Sequence, residues 1–167
     1  MLMCSALAAG CASKPAPVST DAETTGATIP TRWSGSFKTS QMAASAVIGP
    51  ATPGRAAGYG TISLTSVATT PASTRVELSV SAPVAPGSQV AWALFTGPCG
   101  SPSPPIAGPN EFPRIDVANN GAGNVRTVMA ITLDPRTSYH ANVYWSAQVS
   151  DVSNVMMCAN VTLAGAR

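Results

Sequence analysis

The stretch that decides the fold is residues 127–163, TVMAITLDPRTSYHANVYWSAQVSDVSNVMMCANVTL. Apolar residues alternate with other residues in a first run, alternate again after a Leu-Asp-Pro-Arg turn, and recur in a third run near the chain end. A period of two residues, rather than 3.6, indicates strands with one face in a core. The predicted inward residues of the first two runs are Val125, Thr127, Met129, Ile131 and Leu133, then Tyr139, Ala141, Val143, Trp145, Ala147 and Val149.

The turn between these runs, residues 133–136, suits a type I geometry because proline holds φ near about −65°. The alternation after the turn places His140, Asn142 and Tyr144 on the side opposite Tyr139. We therefore expect His140 to face the surface of its strand.

Further short alternating runs precede this stretch, and the many Gly (14) and Pro (15) residues favour strands with tight turns over helices. Residues 89–96 are apolar on both sides, which predicts a central strand, and residues 41–48 fit either a strand or a helical turn. About eight strands are expected, at the spacing typical of a sandwich or barrel. The other predicted upstream strands are residues 32–38, 60–67, 75–81 and 114–118.

The charge of the chain argues against nucleic acid as a partner. Only 10% of the 167 residues are charged and the net charge is +2, whereas an ordinary soluble domain has roughly 25% charged residues. Lys and Arg are too few and too scattered for nucleic-acid binding. The low charge is compatible with a surface covered by a partner or held at a membrane, and equally with a compositional bias towards Ala, Gly and Pro.

The first residues of the chain predict where the protein is located. Leu7-Ala8-Ala9-Gly10-Cys11 resembles the lipobox of bacterial lipoproteins. That resemblance implies a signal remnant at residues 1–10 and a lipid-modified Cys11. The Ser/Thr/Ala/Pro-rich segment up to residue 30 is expected to be a flexible tether, followed by one β-sandwich domain at residues 31–167. An ordinary secretory signal or a disordered start is the alternative. Ala12, rather than Asp, slightly favours the outer membrane by the habit of that family.

The cysteines predict a disulfide. Cys4 falls in the signal remnant and Cys11 in the lipobox, which leaves Cys99 and Cys158. Thiols of exported proteins are usually paired, so we expect these two to pin the Pro-rich loop, residues 97–113, to the last strand. A metal-binding or nucleophilic cysteine pair is the alternative, for which the sequence offers no companion residues.

Two resemblances support a Greek-key β-sandwich. Residues 92–100, WALFTGPCG, together with Cys158-Ala159-Asn160-Val161, are similar to the framework of Cu/Zn superoxide dismutase and the related CHRD-type domains, in which a loop cysteine is tied to the final strand. Residues 133–139, LDPRTSY, resemble the tyrosine corner of fibronectin type III and other immunoglobulin-like domains. That second resemblance implies a hydrogen bond between the Tyr139 hydroxyl group and a backbone group a few residues upstream.

The sequence supplies no recognisable catalytic site. A copper–zinc dismutase centre needs several histidines, whereas His140 is the single histidine of the chain. There is no G-x-S-x-G elbow, no phosphate-binding loop and no dinucleotide fingerprint. We expect no cofactor and no metal, and keep as an alternative a soft copper(I) site formed by His140, Met156 and Met157.

Two functions remain open from the sequence. The first is a non-catalytic, lipid-anchored module on the periplasmic side that serves as an accessory subunit of a membrane-associated protein complex. The second is a dismutase-like enzyme, or a carrier of a small ligand or copper, with a non-standard site. For the first function, the predicted partner-binding residues are Pro102, Pro104, Pro105, Ile106 and Phe112.

Overall fold

The computed structural model describes residues 30–39, 58–68, 72–149 and 154–165. The predicted signal remnant, Cys11, the tether as far as residue 29 and the ambiguous residues 41–48 lie outside these ranges. The described part contains strands and turns but no helix, so no described helix is long and apolar enough to cross a membrane. The strands are β1 Arg32–Thr39, β2 Tyr59–Val67, β3 Ser73–Ser81, β4 Gln89–Val90, β5 Trp92–Thr96, β6 Ile115–Asp116, β7 Ala122–Met129, β8 Tyr139–Tyr144 and β9 Val155–Leu163.

The fold is an all-β Greek-key sandwich, as predicted. Seven strands form one curled sheet in the order β5-β8-β9-β1-β2-β3-β7, and β4 pairs with β6 in a small second sheet. Every pair of neighbouring strands is antiparallel. The last strand, β9, lies between β8 and β1, so the two ends of the described chain are neighbours in the large sheet.

Alternation accounts for the strands on the β2–β3–β7 side. Val76, Leu78 and Val80 of β3 are buried, as predicted, while Glu77 and Ser79 between them are exposed. The same period continues on the paired strands, because register fixes which face each residue occupies. This side of the molecule therefore has one core face and one polar, solvated face.

The prediction of one central strand at residues 89–96 was wrong. The chain changes sheets at Ala91: Val90 pairs with Ile115 in the small sheet, and Trp92 pairs with Val143 in the large one. Strand β5 then lies at the end of the large sheet rather than in its middle. Its residues are nevertheless apolar on both faces, because the Pro-rich loop covers the strand, as described below.

Two strands end earlier than the alternation suggested. Strand β7 ends at Met129 and β8 at Tyr144, although Ile131 and Leu133 continue the buried pattern beyond β7. The predicted proline turn between them is present one residue later, because the N–H of Thr137 donates to the carbonyl of Asp134 at 3.0 Å. Pro135 thus takes the second position of the turn, where its fixed φ is favourable.

Candidate partner-binding surface

The predicted disulfide is confirmed. Cys99 in the Pro-rich loop is bonded to Cys158 in β9, and their Cα atoms lie 6.0 Å apart. A hydrogen bond supports the same attachment, since the backbone N–H of Cys99 donates to Oδ1 of Asn160 at 2.7 Å. The start of the loop is therefore fixed to the last strand at two neighbouring points.

The next part of the loop runs along the edge of β5. Ile106 donates its N–H to the carbonyl of Leu94 at 2.9 Å, and Pro105 forms an isolated antiparallel bridge with Phe95. The hydroxyl group of Ser103 donates to the carbonyl of Thr96 at 2.7 Å. These bonds occupy backbone groups that an edge strand would otherwise leave open, and they hold the loop in one place.

The Pro-rich loop begins at Gly97, where any other residue would strain the backbone. Gly97 has φ of 84°, in the left-handed region that favours glycine. A Cβ atom at this position would lie 2.7 Å from Oγ of Ser101. The direction in which the loop leaves β5 therefore depends on Gly97.

The five predicted partner-binding residues differ in exposure. Pro102 and Pro104 are exposed, and Pro105 and Ile106 are half-buried. Phe112 is buried, with its ring edge-on to Trp92 at a centroid distance of 5.0 Å. Its side chain serves as an internal anchor of the loop, so the prediction that it meets a partner at the surface is corrected.

The prediction that His140 faces the surface was also wrong, because His140 is 1% exposed. Its ring stacks on Phe95 at 5.0 Å, and its Nδ1 lies 2.9 Å from the carbonyl oxygen of Gly97. Both faces of β8 are buried, because the beginning of the Pro-rich loop packs over the side that carries His140. Burial lowers the pKa of His140 below the ordinary value of 6.5, and this desolvation outweighs the opposing effect of the hydrogen bonds to backbone groups.

The turn before β8 has the predicted hydrogen bond to Tyr139. The backbone N–H of Asp134 donates to the hydroxyl oxygen of Tyr139 at 2.9 Å, and the ring is buried. The carboxylate of Asp134 accepts from the N–H of Arg136 at 2.8 Å, which closes the other side of the turn. Tyr139 thus joins the turn to the start of β8, which is a structural role.

The strand register of β8 and β9 does not bring together the three residues of the alternative copper(I) site. His140 is opposite Asn160, and Met157 is opposite Val143, three residues further along β8. An odd separation places His140 and Met157 on opposite faces of the sheet. Met156 falls at the register irregularity beyond this pair. Within the described ranges there is also no cluster of three or more His, Cys, Asp or Glu residues that could hold a metal ion.

The described residues also line two surface depressions. One is an open groove of about 410 Å³ on the polar face of β1, β2 and β9, lined by hydroxyl-bearing residues such as Ser34, Thr61 and Thr162. The other is a pocket of about 220 Å³ at the far end of the Pro-rich loop. Sequence reasoning missed this pocket, because its polar residues come from two loops that are distant in sequence and follow no period or motif. Asn110 and Arg114 lie between β5 and β6, and Gln148 follows β8.

Comparison of the chain with protein-family models, with curated proteins and with solved structures gave no match.

Proposed function

We propose that this protein is a non-catalytic, lipid-anchored accessory module that docks on a membrane-associated protein complex through its Pro-rich loop. The observation that carries the proposal is the loop itself. It is fixed by the Cys99–Cys158 disulfide at its start and by Pro105 and Ile106 along β5, while Pro102 and Pro104 remain exposed.

A loop held in this way is suited to binding a protein. Association costs free energy for every segment that must be ordered, and a loop already fixed by a covalent bond and backbone hydrogen bonds has little left to lose. The loop also carries a single charged residue, Glu111, between positions 97 and 113. Depletion of charge is typical of the centre of protein interfaces.

The anchor part of the proposal rests on sequence. A lipid-modified Cys11 followed by a flexible tether would hold the sandwich near a bacterial membrane on its periplasmic side, with the outer membrane slightly favoured. Stable anchoring needs more than one acyl chain, which the lipoprotein resemblance implies. The similarity to dismutase-like and immunoglobulin-like sandwiches belongs to the same proposal and concerns architecture only, since one fold hosts many functions.

A second candidate function is a carrier of a small ligand. The observation that favours it is the pocket of about 220 Å³ lined by Asn110, Arg114 and Gln148. This candidate needs no membrane complex, so it makes a different prediction for the size of the protein in extracts.

Co-purification from gently solubilised membranes tests the proposal. A tagged wild-type protein should migrate with a larger assembly on native gels, and the double variant Pro102→Ser/Pro104→Ser should be depleted from it. Ser79→Ala, an exposed change on β3, serves as the matched control and should behave as wild type. Recovery of wild-type protein only as a free monomer contradicts docking and leaves the carrier function.

The anchor has its own test, with a control within the same segment. Cys11→Ser should abolish labelling by a radioactive fatty acid and release the protein from membranes, whereas Cys4→Ser should do neither. Unlabelled wild-type protein, or equal effects of the two substitutions, would refute lipid attachment at Cys11.

A further inference from the structure

The pocket at the far end of the Pro-rich loop combines an apolar lining with free polar groups. Its apolar lining includes Phe112 and Val149, together with Ala91, Ala147 and Pro109. Its polar lining consists of the side chains of Asn110, Arg114 and Gln148. Within the described part of the chain, none of these three side chains has a hydrogen-bond or ion-pair partner. The accessible surface of the pocket is mainly polar, and a few convergent polar groups are what fix the orientation of a bound ligand.

Both walls of this pocket are tied to the start of β5. On one side, Nε1 of Trp92 donates to the carbonyl of Pro113 at 2.8 Å, next to the contact between Trp92 and Phe112. On the other side, the N–H of Ala91 donates to the carbonyl of Ser146 at 2.7 Å. The segments that carry the polar side chains are therefore held relative to each other, which lowers the ordering cost of binding.

The charge of the pocket selects an anion. Arg114 is exposed and lines the pocket, and no described carboxylate lies within ion-pair distance of it. The neighbouring acid, Glu111, is engaged elsewhere, since its Oε1 accepts from the N–H of Gly108 at 3.0 Å. A guanidinium group matches a carboxylate through two parallel hydrogen bonds, and the amides of Asn110 and Gln148 supply further N–H donors.

We propose that this pocket binds an organic carboxylate that carries a small apolar group. The carboxylate pairs with Arg114 and the two amides, while the apolar group contacts the half-buried Ala147 and Val149. The volume of about 220 Å³ is below the roughly 300–1,000 Å³ of pockets for drug-sized ligands. A short acid, or the last residue of a polypeptide with a free carboxylate, fits this size. The inference does not depend on docking through the Pro-rich loop.

Titrations followed by ¹⁵N–¹H NMR of the purified full-length protein in its disulfide form test this inference. The probes are N-acetyl-L-leucine, which mimics a chain end, isovalerate, which is a free short acid, and N-acetyl-L-leucinamide, which has the same apolar group without the charge. At least one acid should shift the side-chain amide signals of Asn110 and Gln148 in a saturable way, and the neutral amide should bind at least about tenfold more weakly, as expected for the loss of charge-assisted hydrogen bonds. Preference for N-acetyl-L-leucine over isovalerate indicates a chain end, and preference for isovalerate indicates a free acid.

Substitution of Arg114 provides the decisive comparison. Arg114→Gln should weaken binding of the acid by roughly tenfold or more, whereas Arg75→Gln, which removes the same charge from the exposed face of β3, should leave it unchanged. Arg114 is exposed, so both variants should keep the wild-type unfolding midpoint. The inference is overturned if neither acid binds, if the neutral amide binds as well as the acids, or if both arginine substitutions have the same effect.

Discussion

Removal of the Tyr139 hydroxyl group tests how the turn before β8 is held. Tyr139→Phe keeps the buried ring but removes the acceptor that the N–H of Asp134 reaches at 2.9 Å. The lost bond should lower the free energy of unfolding by about 0.5–1.5 kcal/mol, with the upper part of this range favoured if water does not reach the freed N–H. Tyr139→Ala also removes a ring that is 5% exposed, and should cost about 3–5 kcal/mol.

Guanidinium unfolding with the disulfide intact measures both changes. Tyr59→Phe is the matched control, because Tyr59 is 66% exposed, and its effect should stay within about 0.5 kcal/mol. Tyr144 faces the opposite side of β8 but is 2% exposed, so Tyr144→Ala should also be costly. If Tyr139→Phe costs no more than Tyr59→Phe, the bond to Asp134 does not hold the turn and the reasoning is refuted.

Three further changes have defined outcomes. Replacing Cys99 and Cys158 by serine opens a span of 59 residues and should cost about 4 kcal/mol by chain entropy; unchanged denaturant midpoints would contradict this. Trp92→Phe loses the hydrogen bond to the carbonyl of Pro113. It should cost about 0.5–1.5 kcal/mol more than Trp33→Phe, because Nε1 of Trp33 is buried with no hydrogen-bond partner in the described part of the chain. Equal thermal shifts of the two variants would argue against a stabilising bond from Trp92. The pKa of His140 is lowered in the folded state, so the unfolded chain takes up the proton first as the pH falls. The contribution of neutral, buried His140 to stability is therefore present above about pH 6.5 and is lost below it. His140→Phe should flatten this part of the stability–pH curve, and an unchanged slope would count against the burial of a neutral His140.

The strands and their inward faces could be predicted because alternation is a local property. Val76, Leu78 and Val80 show it plainly, and the cysteine count was sufficient for the disulfide once two cysteines were assigned to the chain start. The tyrosine corner was also accessible, because the proline turn and Tyr139 lie close together in sequence.

The features that could not be predicted depend on contacts between segments that are distant in sequence. The burial of His140 comes from Phe95 on another strand and from the loop that begins at Gly97, neither of which alternation within β8 can reveal. The split of residues 89–96 into two strands also depends on a distant segment. Val90 belongs to the small sheet only because it pairs with Ile115. The pocket around Arg114 likewise forms where two loops meet, and no spacing in the sequence marks it.

Site-specific photo-crosslinking in living cells tests the central claim, docking through the Pro-rich loop, most directly. A photoreactive amino acid would be placed at Pro104 in the loop or at Ser79 on β3, both of which are exposed. The account predicts a discrete crosslinked product from position 104 that contains a membrane-associated protein, and none from position 79. Products of equal yield from both positions, or no product from position 104, would contradict it.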